Sequence, residues 1–324
     1  MHYGGEHLVD VESLKAQVLS LPEVAAWPEM VRVLEETADR FHSAWELPLL
    51  ACQAVGGDVS EAVSGAAAIM CMHIGIMLVD DILDQDPRGE YRRMGSGPTA
   101  NLALAFQAAA FRVIERAAVD AEQRAAITSS LAWMALTTAL GQSLDTQNLG
   151  DEVDYWRVVR AKSTPFFGTS FHIGALLASA DMEIIEPLRD LGILYGEVVQ
   201  IYDDLTDALQ SPANPDWKRG RNNLPILYAL TADHPDRARF AELLPQVDDP
   251  QMLREAQQIL IRCGAVSFCA YHLIQRYQKA RRLLESIPLA DSSPLTGVLT
   301  EQIQPLVELF QSVGVELPAE LLTG

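Results

Sequence analysis

The sequence predicts an all-α protein, and three observations support this fold class. Alanine and leucine are abundant, long apolar stretches carry helical periodicity, and runs that alternate β-branched and polar residues are absent. Gly, Pro and Asp collect at intervals between these stretches. The helical segments expected, in chain order, are 9–19, 29–38, 48–55, 61–85, 100–120, 123–146, 151–177, 186–210, 224–231, 236–246, 250–282 and 294–315.

Clusters of helix-breaking residues set the boundaries between several of these segments. G-G-D at 56–58 ends the third segment, D-P-R-G at 86–89 ends the fourth, S-P-A-N-P-D at 211–216 follows segment 186–210, and D-D-P at 248–250 opens segment 250–282. None of these breaks is long enough to be an interdomain linker. The sequence therefore predicts one helical bundle that forms a single domain over residues 1–324.

Composition limits the classes of function. The 324 residues are 49% hydrophobic, which supports a substantial core, and the net charge of −20 argues against a nucleic-acid binder. The four cysteines, Cys52, Cys71, Cys263 and Cys269, lie in apolar surroundings without C-x-x-C spacing. This pattern predicts buried free thiols and a reducing, cytoplasmic location.

One apolar stretch approaches the length that spans a bilayer. Residues 62–79 contain no Asp, Glu, Lys or Arg, whereas a membrane span needs about 20 apolar residues. The stretch contains Ser64, Gly65, His73 and Gly75 and runs directly into three aspartates. Because charged groups are costly in a membrane, we expect a buried core helix and no membrane span. The N-terminus shows no secretory signal pattern.

Two Asp-rich motifs dominate the search for a functional site. D-D-I-L-D at 80–84 and D-D-L-T-D at 203–207 each repeat D-D-x-x-D at the end of an apolar helical stretch. On a helix, residues four apart share a face, so Asp80 projects with Asp84 and Asp203 with Asp207. A single motif of this kind is more often a solvated acidic face. Two copies, each preceded by an almost uncharged helix, favour a functional pair.

The chemistry of these motifs points to a divalent cation. Carboxylate oxygens suit Mg²⁺, which keeps several waters and bridges one or two protein carboxylates to substrate phosphates. The sequence therefore predicts two acidic clusters that hold Mg²⁺ and a diphosphate between two helices.

Further residues accompany the acidic motifs. Arg92 and Arg93 follow the first motif, G-P-T stands at 97–99, and His73 lies seven residues before Asp80. The later matches are G-Q-S-L-D at 141–145, K-S at 162–163, Q-I-Y-D-D at 200–204 and G-R-N-N-L-P at 220–225. In these features the chain resembles the all-trans polyprenyl diphosphate synthases, which are class I isoprenoid synthases, over most of its length. The resemblance implies a single large helical bundle of the isoprenoid synthase type and a homodimer.

The resemblance also implies roles for individual residues and an allylic isoprenyl diphosphate as substrate. Mg²⁺, as about three ions when substrate is bound, would be held by Asp80, Asp81, Asp84, Asp203, Asp204 and Asp207. Diphosphate would be bound by Arg92, Arg93, Lys162, Lys218 and Arg221. The acceptor site and the prenyl pocket would include Trp45, His73, Gln200, Gly75, Ile76, Phe166 and Phe167. Because Gly75 and Ile76 leave no aromatic plug just before Asp80, we expect C15 or C20 chains.

One part of the chain departs from the family pattern. In the family, cationic residues shortly before a P-L-L run grip isopentenyl diphosphate. This chain keeps P-L-L at 48–50, but Ala44 stands for the lysine, Trp45 and Leu47 stand for arginines, and Glu46 adds a negative charge. Charge-assisted hydrogen bonds to phosphate are the strong ones. Ordinary chain elongation is therefore expected to be weak.

Three functional hypotheses follow. The first is a Mg²⁺-dependent prenyltransferase that ionises an allylic diphosphate and passes the prenyl cation to an acceptor, either isopentenyl diphosphate held differently or an uncharged molecule. The second is a class I terpene synthase evolved from the same scaffold, in which Trp45 shields the cation by a cation–π contact. The third is a non-catalytic subunit that binds a prenyl diphosphate or a partner synthase. Both acidic motifs are intact, which favours the two enzyme hypotheses.

Overall fold

The computed structural model describes residues 11–38, 43–147, 150–214, 217 and 222–312, with side chains to residue 304. Within these ranges the secondary structure is helical, without β-strands, so the all-α prediction is confirmed. The helices are α1 (Val11–Leu19), α2 (Pro22–Ala25), α3 (Pro28–Ala38), α4 (Leu47–Ala54), α5 (Val63–Asp84), α6 (Tyr91–Met94), α7 (Ser96–Arg116), α8 (Ala121–Asp145), α9 (Glu152–Lys162), α10 (Thr164–Leu177), α11 (Met182–Leu209), α12 (Leu224–Thr231), α13 (Arg237–Leu243), α14 (Pro250–Arg262), α15 (Ala265–Ser286) and α16 (Ser293–Ser312).

Two of the predicted single helices are each broken in two. Segment 151–177 divides into α9 and α10 at Ser163, because Pro165 has no N–H to donate and its ring crowds the carbonyl four residues earlier. Segment 250–282 divides into α14 and α15 at Gly264, whose φ of 91° is the left-handed conformation that ends helices. Apolar periodicity continues through both breaks, so periodicity alone missed them.

Other helix boundaries differ from the prediction by a turn. Helix α7 begins at Ser96 and ends at Arg116, one turn ahead of segment 100–120 at both ends, and α11 begins at Met182, one turn before segment 186–210. The short helices α2 and α6 were not predicted. Residues 9, 10 and 313–315 of the predicted first and last helices lie outside the described residues.

The chain divides into two compact units. The first unit comprises Met1–Ala139, Pro165–Ile193 and Leu283–Val298. The second unit comprises Leu140–Thr164, Leu194–Arg282 and Leu299–Gly324. The single domain over 1–324 stays a prediction.

Helix α5 forms the centre of the first unit. It packs most extensively against α7 and also contacts α1 and α4. A Cβ added to Gly75 would lie 3.0 Å from the Ala103 carbonyl oxygen, so this glycine permits the close approach of α5 and α7. By length and composition the stretch Val59–Asp84 could cross a membrane, but 67% of its apolar window is buried inside the protein. The predicted core helix is therefore confirmed.

The thiols follow the expectation for a packed interior. The cysteines are free, and Cys52, Cys71 and Cys269 are buried while Cys263 is half-buried. Burial raises the pKa of Cys71 to about 12, which leaves it an unreactive thiol.

The second unit has an apolar core of its own. Trp217 is 1% exposed and packs 6.0 Å from Phe240, measured between ring centroids. Buried aliphatic residues complete this core, among them Ala208, Ile226, Leu243, Leu253, Ile259 and Leu260. The core holds α12, α13 and α14 against the C-terminal end of α11, which carries the second acidic motif.

Candidate active site

The first acidic motif lies at the C-terminal end of α5, in the first unit. Asp80, Asp81 and Asp84 are half-buried, and α5 ends at Asp84 with Gln85 in the left-handed conformation. The C-terminal end of a helix carries partial negative charge, which disfavours carboxylates and favours cations. Burial, and then the charges of Asp86 and Asp80, raises the pKa of Asp81 to about 6. A cation would relieve this accumulation of negative charge.

The second acidic motif lies near the C-terminal end of α11, in the second unit, and its three aspartates differ from one another. Asp203 is exposed and Asp207 is half-buried, whereas Asp204 is only 2% exposed. The Asp207 Oδ1 accepts a hydrogen bond of 2.9 Å from Gln210 Nε2. Asp203 and Asp207 therefore remain accessible, and Asp204 does not.

Asp204 is held by internal donors on both carboxylate oxygens. Its Oδ2 accepts from the Tyr155 hydroxyl at 2.6 Å and from the Leu224 backbone N–H at 2.7 Å, and its Oδ1 accepts from Gln200 Nε2 at 2.8 Å. Asn223 Nδ2 donates to its backbone carbonyl at 2.8 Å. This carboxylate ties α9, α11 and the start of α12 together, which is the arrangement of a structural anchor.

The predicted phosphate lysine meets the G-Q-S-L-D segment. Lys162 Nζ lies 2.6 Å from Asp145 Oδ2, and Asn222 Nδ2 donates to Asp145 Oδ1 at 2.9 Å. Next to the lysine, the Ser163 hydroxyl donates to Gln200 Oε1, and Gln200 is the residue that donates to Asp204. Within the second unit, these bonds form two sets, one of Lys162, Asp145 and Asn222 and one of Ser163, Gln200 and Asp204, which are adjacent because Lys162 and Ser163 are neighbours in the chain.

The network depends on a close helix contact at Gly141. A Cβ added there would lie 2.2 Å from the Lys162 backbone nitrogen and 2.4 Å from the Ala161 carbonyl carbon. Gly141→Ala is therefore expected to lower the free energy of unfolding by about 1–3 kcal/mol, the usual range for overpacking. It should also slow turnover by separating Lys162 from Asp145.

Urea denaturation and a turnover assay on the same preparation check this expectation. Gly297→Ala is the matched control, because it is also a helical glycine and a Cβ there meets nothing within 4 Å. That control should be neutral or slightly stabilising, as alanine favours helices over glycine. Equal behaviour of the two variants would contradict the importance of the Gly141 contact.

The arginine pair that follows the first motif is exposed. Arg93 Nη2 lies 2.6 Å from Glu90 Oε1, and Arg32 Nη2 reaches the same oxygen at 2.7 Å. The Arg92 guanidinium lies 5.5 Å from the centroid of the Tyr91 ring. Both arginines belong to α6 in the first unit and can reorient toward an anionic ligand. The predicted Lys218 and Arg221 lie outside the described residues.

The positions of the missing cationic grip are buried and apolar. Ala44, Trp45 and Leu47 are 3%, 1% and 0% exposed. The Trp45 indole N–H donates to His73 Nδ1 at 2.9 Å, and the His73 ring packs 5.0 Å from Phe166. Trp45, at the position where the resemblance implies an arginine, therefore donates a hydrogen bond to the histidine predicted for the acceptor site.

Four of the predicted pocket residues lie in the first unit, and among them Phe166 is in contact with this histidine. Phe166 is buried and contacts Phe167 edge-on with 5.2 Å between ring centroids, and Phe167 is half-buried. Gly75 is buried against α7, whereas Ile76, on the next position of α5, is half-buried. Of these four residues, Phe167 and Ile76 are the more accessible to a ligand.

The donor set at both acidic motifs fits Mg²⁺. Within the described residues, no group of three or more His, Cys, Asp and Glu side chains is arranged to hold a metal ion. Mg²⁺ characteristically takes one or two carboxylates and completes its shell with water and substrate phosphate oxygens. The accessible carboxylates of Asp80, Asp84, Asp203 and Asp207 suit that mode of binding.

Sequence reasoning missed several residues of the second-unit network. Tyr155 anchors Asp204, and Asn222 and Asn223 hold Asp145 and Asp204. The two asparagines stand within the G-R-N-N-L-P run that the sequence had singled out, so a signal for them existed. No pattern in the sequence marks Tyr155.

Comparison with known proteins agrees with the family resemblance found in the sequence. A family model for polyprenyl synthetase matches residues 46–260 of the chain. The short chain isoprenyl diphosphate synthase of Methanothermobacter thermautotrophicus is 27% identical over 270 residues, which cover 79% of this chain and 83% of that protein.

Solved structures show the same fold. The geranylgeranyl pyrophosphate synthetase of Pyrococcus horikoshii has a TM-score of 0.79 at 21% identity, covering 90% of this chain and 94% of that one. The geranylgeranyl pyrophosphate synthase of Corynebacterium glutamicum, solved with calcium and isoprenyl diphosphate, has a TM-score of 0.73 at 19% identity and covers 98% of this chain and 100% of that one. The fold and the family match define a prenyltransferase enzyme. The chain belongs to the polyprenyl synthetase family.

Proposed function

We propose that the protein is a Mg²⁺-dependent prenyltransferase that ionises an allylic isoprenyl diphosphate of C15 or C20 length and transfers the prenyl cation to an acceptor. The observation that carries this proposal is the network of the second unit. It holds Lys162 through Asp145 and Gln200 through Ser163 and Asp204, and Asp204 lies on α11 in the motif that carries the accessible aspartates Asp203 and Asp207. Such a set can bind a diphosphate through the lysine ammonium group and through metal ions that are bound by the aspartate carboxylates.

Metal-binding carboxylates and cationic side chains both contribute to the proposed ionisation of the allylic diphosphate. Bound Mg²⁺ supplies Lewis-acid stabilisation of the negative charge that grows on the leaving diphosphate. We assign metal binding to Asp80, Asp81, Asp84, Asp203 and Asp207, and we assign Asp204 a positioning role because its carboxylate is buried and bonded.

The cationic side chains complete the neutralisation of the leaving group. Lys162, held by Asp145, and the exposed Arg92 and Arg93 are proposed to bind phosphate oxygens, as preorganised electrostatic stabilisation requires. When the allylic C–O bond breaks, its electron pair leaves with the diphosphate and an allylic cation remains. Electrons of an acceptor double bond then form the new C–C bond, and a proton leaves the acceptor.

The acceptor site favours something other than tightly held isopentenyl diphosphate. Ala44, Trp45 and Leu47 are buried, and Trp45 is engaged with His73. A diphosphate bound there would lack the charge-assisted hydrogen bonds that make phosphate binding strong. We therefore propose an uncharged acceptor, or isopentenyl diphosphate held weakly through residues such as Arg93 and His73.

The contact between Trp45 and His73 also supports a second candidate function. If the prenyl cation is trapped by a double bond of its own chain, no acceptor is needed and the protein is a class I terpene synthase. The aromatic contacts among Trp45, His73 and Phe166 provide weakly nucleophilic surroundings of the kind that a carbocation requires. A non-catalytic role is disfavoured by the intact acidic motifs. The homodimer and the cytoplasmic location stay predictions from the resemblance and the composition.

One assay separates these functions. Purified protein is incubated with Mg²⁺ and with C5, C10, C15 or C20 allylic diphosphates, each with and without isopentenyl diphosphate, and pyrophosphate release is measured while products are identified by mass spectrometry. We expect pyrophosphate release with C15 or C20 substrates, and little elongation. Efficient elongation would contradict the proposed acceptor site. Hydrocarbon or alcohol formed from one allylic substrate alone would establish the terpene synthase, and no release from any substrate, including with added neutral aromatic acceptors, would contradict both enzymes.

A further inference from the structure

A small cavity in the second unit lies apart from the residues assigned to the active site. It has a volume of about 190 Å³ and is lined by α12 residues together with Glu152 of α9 and Phe268 of α15. This volume is well above the roughly 10–15 Å³ that a cavity needs to hold one water, so there is room for a small organic ligand. None of the residues assigned to metal or diphosphate lines it.

The cavity combines one carboxylate with aromatic faces. Among the described lining residues, Glu152 is the only one with a charged side chain, and that side chain is 44% exposed. The rings of Tyr228 and Phe268 lie 4.6 Å apart at their centroids with a tilt of 33°. Leu224 and Leu227 supply most of the remaining apolar wall. Ring faces and carboxylates both attract organic cations.

The Glu152 carboxylate is held in place by its neighbours. Trp156 Nε1 donates to Glu152 Oε1 at 2.9 Å, and His272 Nε2 lies 3.1 Å from the same oxygen. Burial lowers the pKa of His272, so the ring stays neutral near pH 7 and does not cancel the negative charge. The nearby cation Arg276 pairs with Glu197 at 2.7 Å. The carboxylate is therefore oriented by these two neighbours.

We propose that this cavity binds a small organic ammonium ion, with the charged head at Glu152 and the hydrocarbon part against Tyr228 and Phe268. Anionic ligands such as diphosphates are disfavoured at this cavity, because its one charged lining residue, Glu152, repels them. The site shares no metal-binding or diphosphate-binding side chain with the proposed prenyl transfer, and its link to that network is the Leu224 backbone N–H, which donates to Asp204.

Binding of a simple probe pair tests the proposal. Cyclohexylammonium and its uncharged counterpart cyclohexanol are titrated into the full-length protein by calorimetry, and ligand contacts are followed by saturation-transfer NMR. We expect the ammonium ion to bind and the alcohol to bind more weakly by about three- to tenfold, the range of one partly exposed charge interaction combined with a cation–π contact. Equal binding of the two probes, or no binding of the ammonium ion at tens of millimolar, would overturn the proposal.

Three variants locate the binding. Glu152→Gln keeps an oxygen for Trp156 but removes the charge, and Phe268→Leu removes an aromatic face; each should weaken ammonium binding about three- to tenfold. Glu183→Gln is the control, because it makes the same charge change in the first turn of another helix, α11. Circular dichroism confirms that each variant is folded. If Glu152→Gln fails to fold, Phe268→Leu still tests the site, and unchanged binding in that variant counts against it.

Discussion

Replacing Asp80 or Asp203 with alanine is expected to reduce pyrophosphate release from an allylic diphosphate by at least about a hundredfold, the scale of losing one electrostatic contact to a developing negative charge. Each residue opens an acidic motif and has an accessible or half-buried carboxylate. Removing it deletes a ligand for Mg²⁺, and the remaining carboxylates and the phosphate oxygens hold the ion less tightly. Initial rates of pyrophosphate release at saturating substrate measure the effect.

The Mg²⁺ dependence distinguishes loss of a metal ligand from general damage. Both variants should need a higher Mg²⁺ concentration for half-maximal rate. Asp190→Asn is the control, because this exposed aspartate lies on α11 as Asp203 does but outside the motif. It should behave like the unmodified protein. Turnover near the unmodified rate in either alanine variant would show that the motif does not hold the catalytic metal.

The sequence predicted the fold class and most helices, because helices with one buried face repeat apolar residues every three to four positions. The prediction failed where the apolar repeat continues through a break between two helices. The interruptions at Ser163 and at Gly264 arise from Pro165 and from a left-handed glycine, which are backbone effects that apolar periodicity does not report.

The candidate site was predicted unevenly for a related reason. Spacing along a helix brought Asp80 together with Asp84 and Asp203 with Asp207, because positions four apart share a face. Spacing could not show that Asp204 is buried, since its burial depends on Tyr155 and Leu224, which are 49 and 20 residues away in the chain. Contacts between distant segments are a property of packing, and a motif alone does not contain them.

The contact between Trp45 and His73 illustrates the same limit with a functional consequence. The resemblance implied that Ala44, Trp45 and Leu47 stand where the family has cationic residues. It did not show that the replacement tryptophan donates a hydrogen bond to the histidine of the same subsite, 28 residues away. The difference is therefore more than a loss of charge, because Trp45 engages a residue that we propose for the acceptor site.

Replacing Asp204 with alanine is expected to lower the free energy of unfolding by roughly 3 kcal/mol or more, a large effect for one residue. The substitution leaves the Tyr155 hydroxyl, the Leu224 N–H and the Gln200 amide without the carboxylate that accepts from them. Buried donors without a partner cost about 1–3 kcal/mol each, less what an entering water restores. Urea denaturation followed by circular dichroism measures the change.

Two further variants give reference values for this loss of stability and separate the anchoring role of Asp204 from metal binding. Tyr155→Phe removes one donor while the carboxylate keeps two others, so we expect a loss of about 1 kcal/mol. Asp203→Ala, on the next position of α11, changes an exposed side chain and should alter stability by no more than about 0.5 kcal/mol while it removes activity. Adjacent aspartates would then have opposite profiles, one required for turnover and the other for folding. A stability loss shared equally by Asp203→Ala and Asp204→Ala would contradict this division, because it would mean that burial and the three internal donors do not set Asp204 apart.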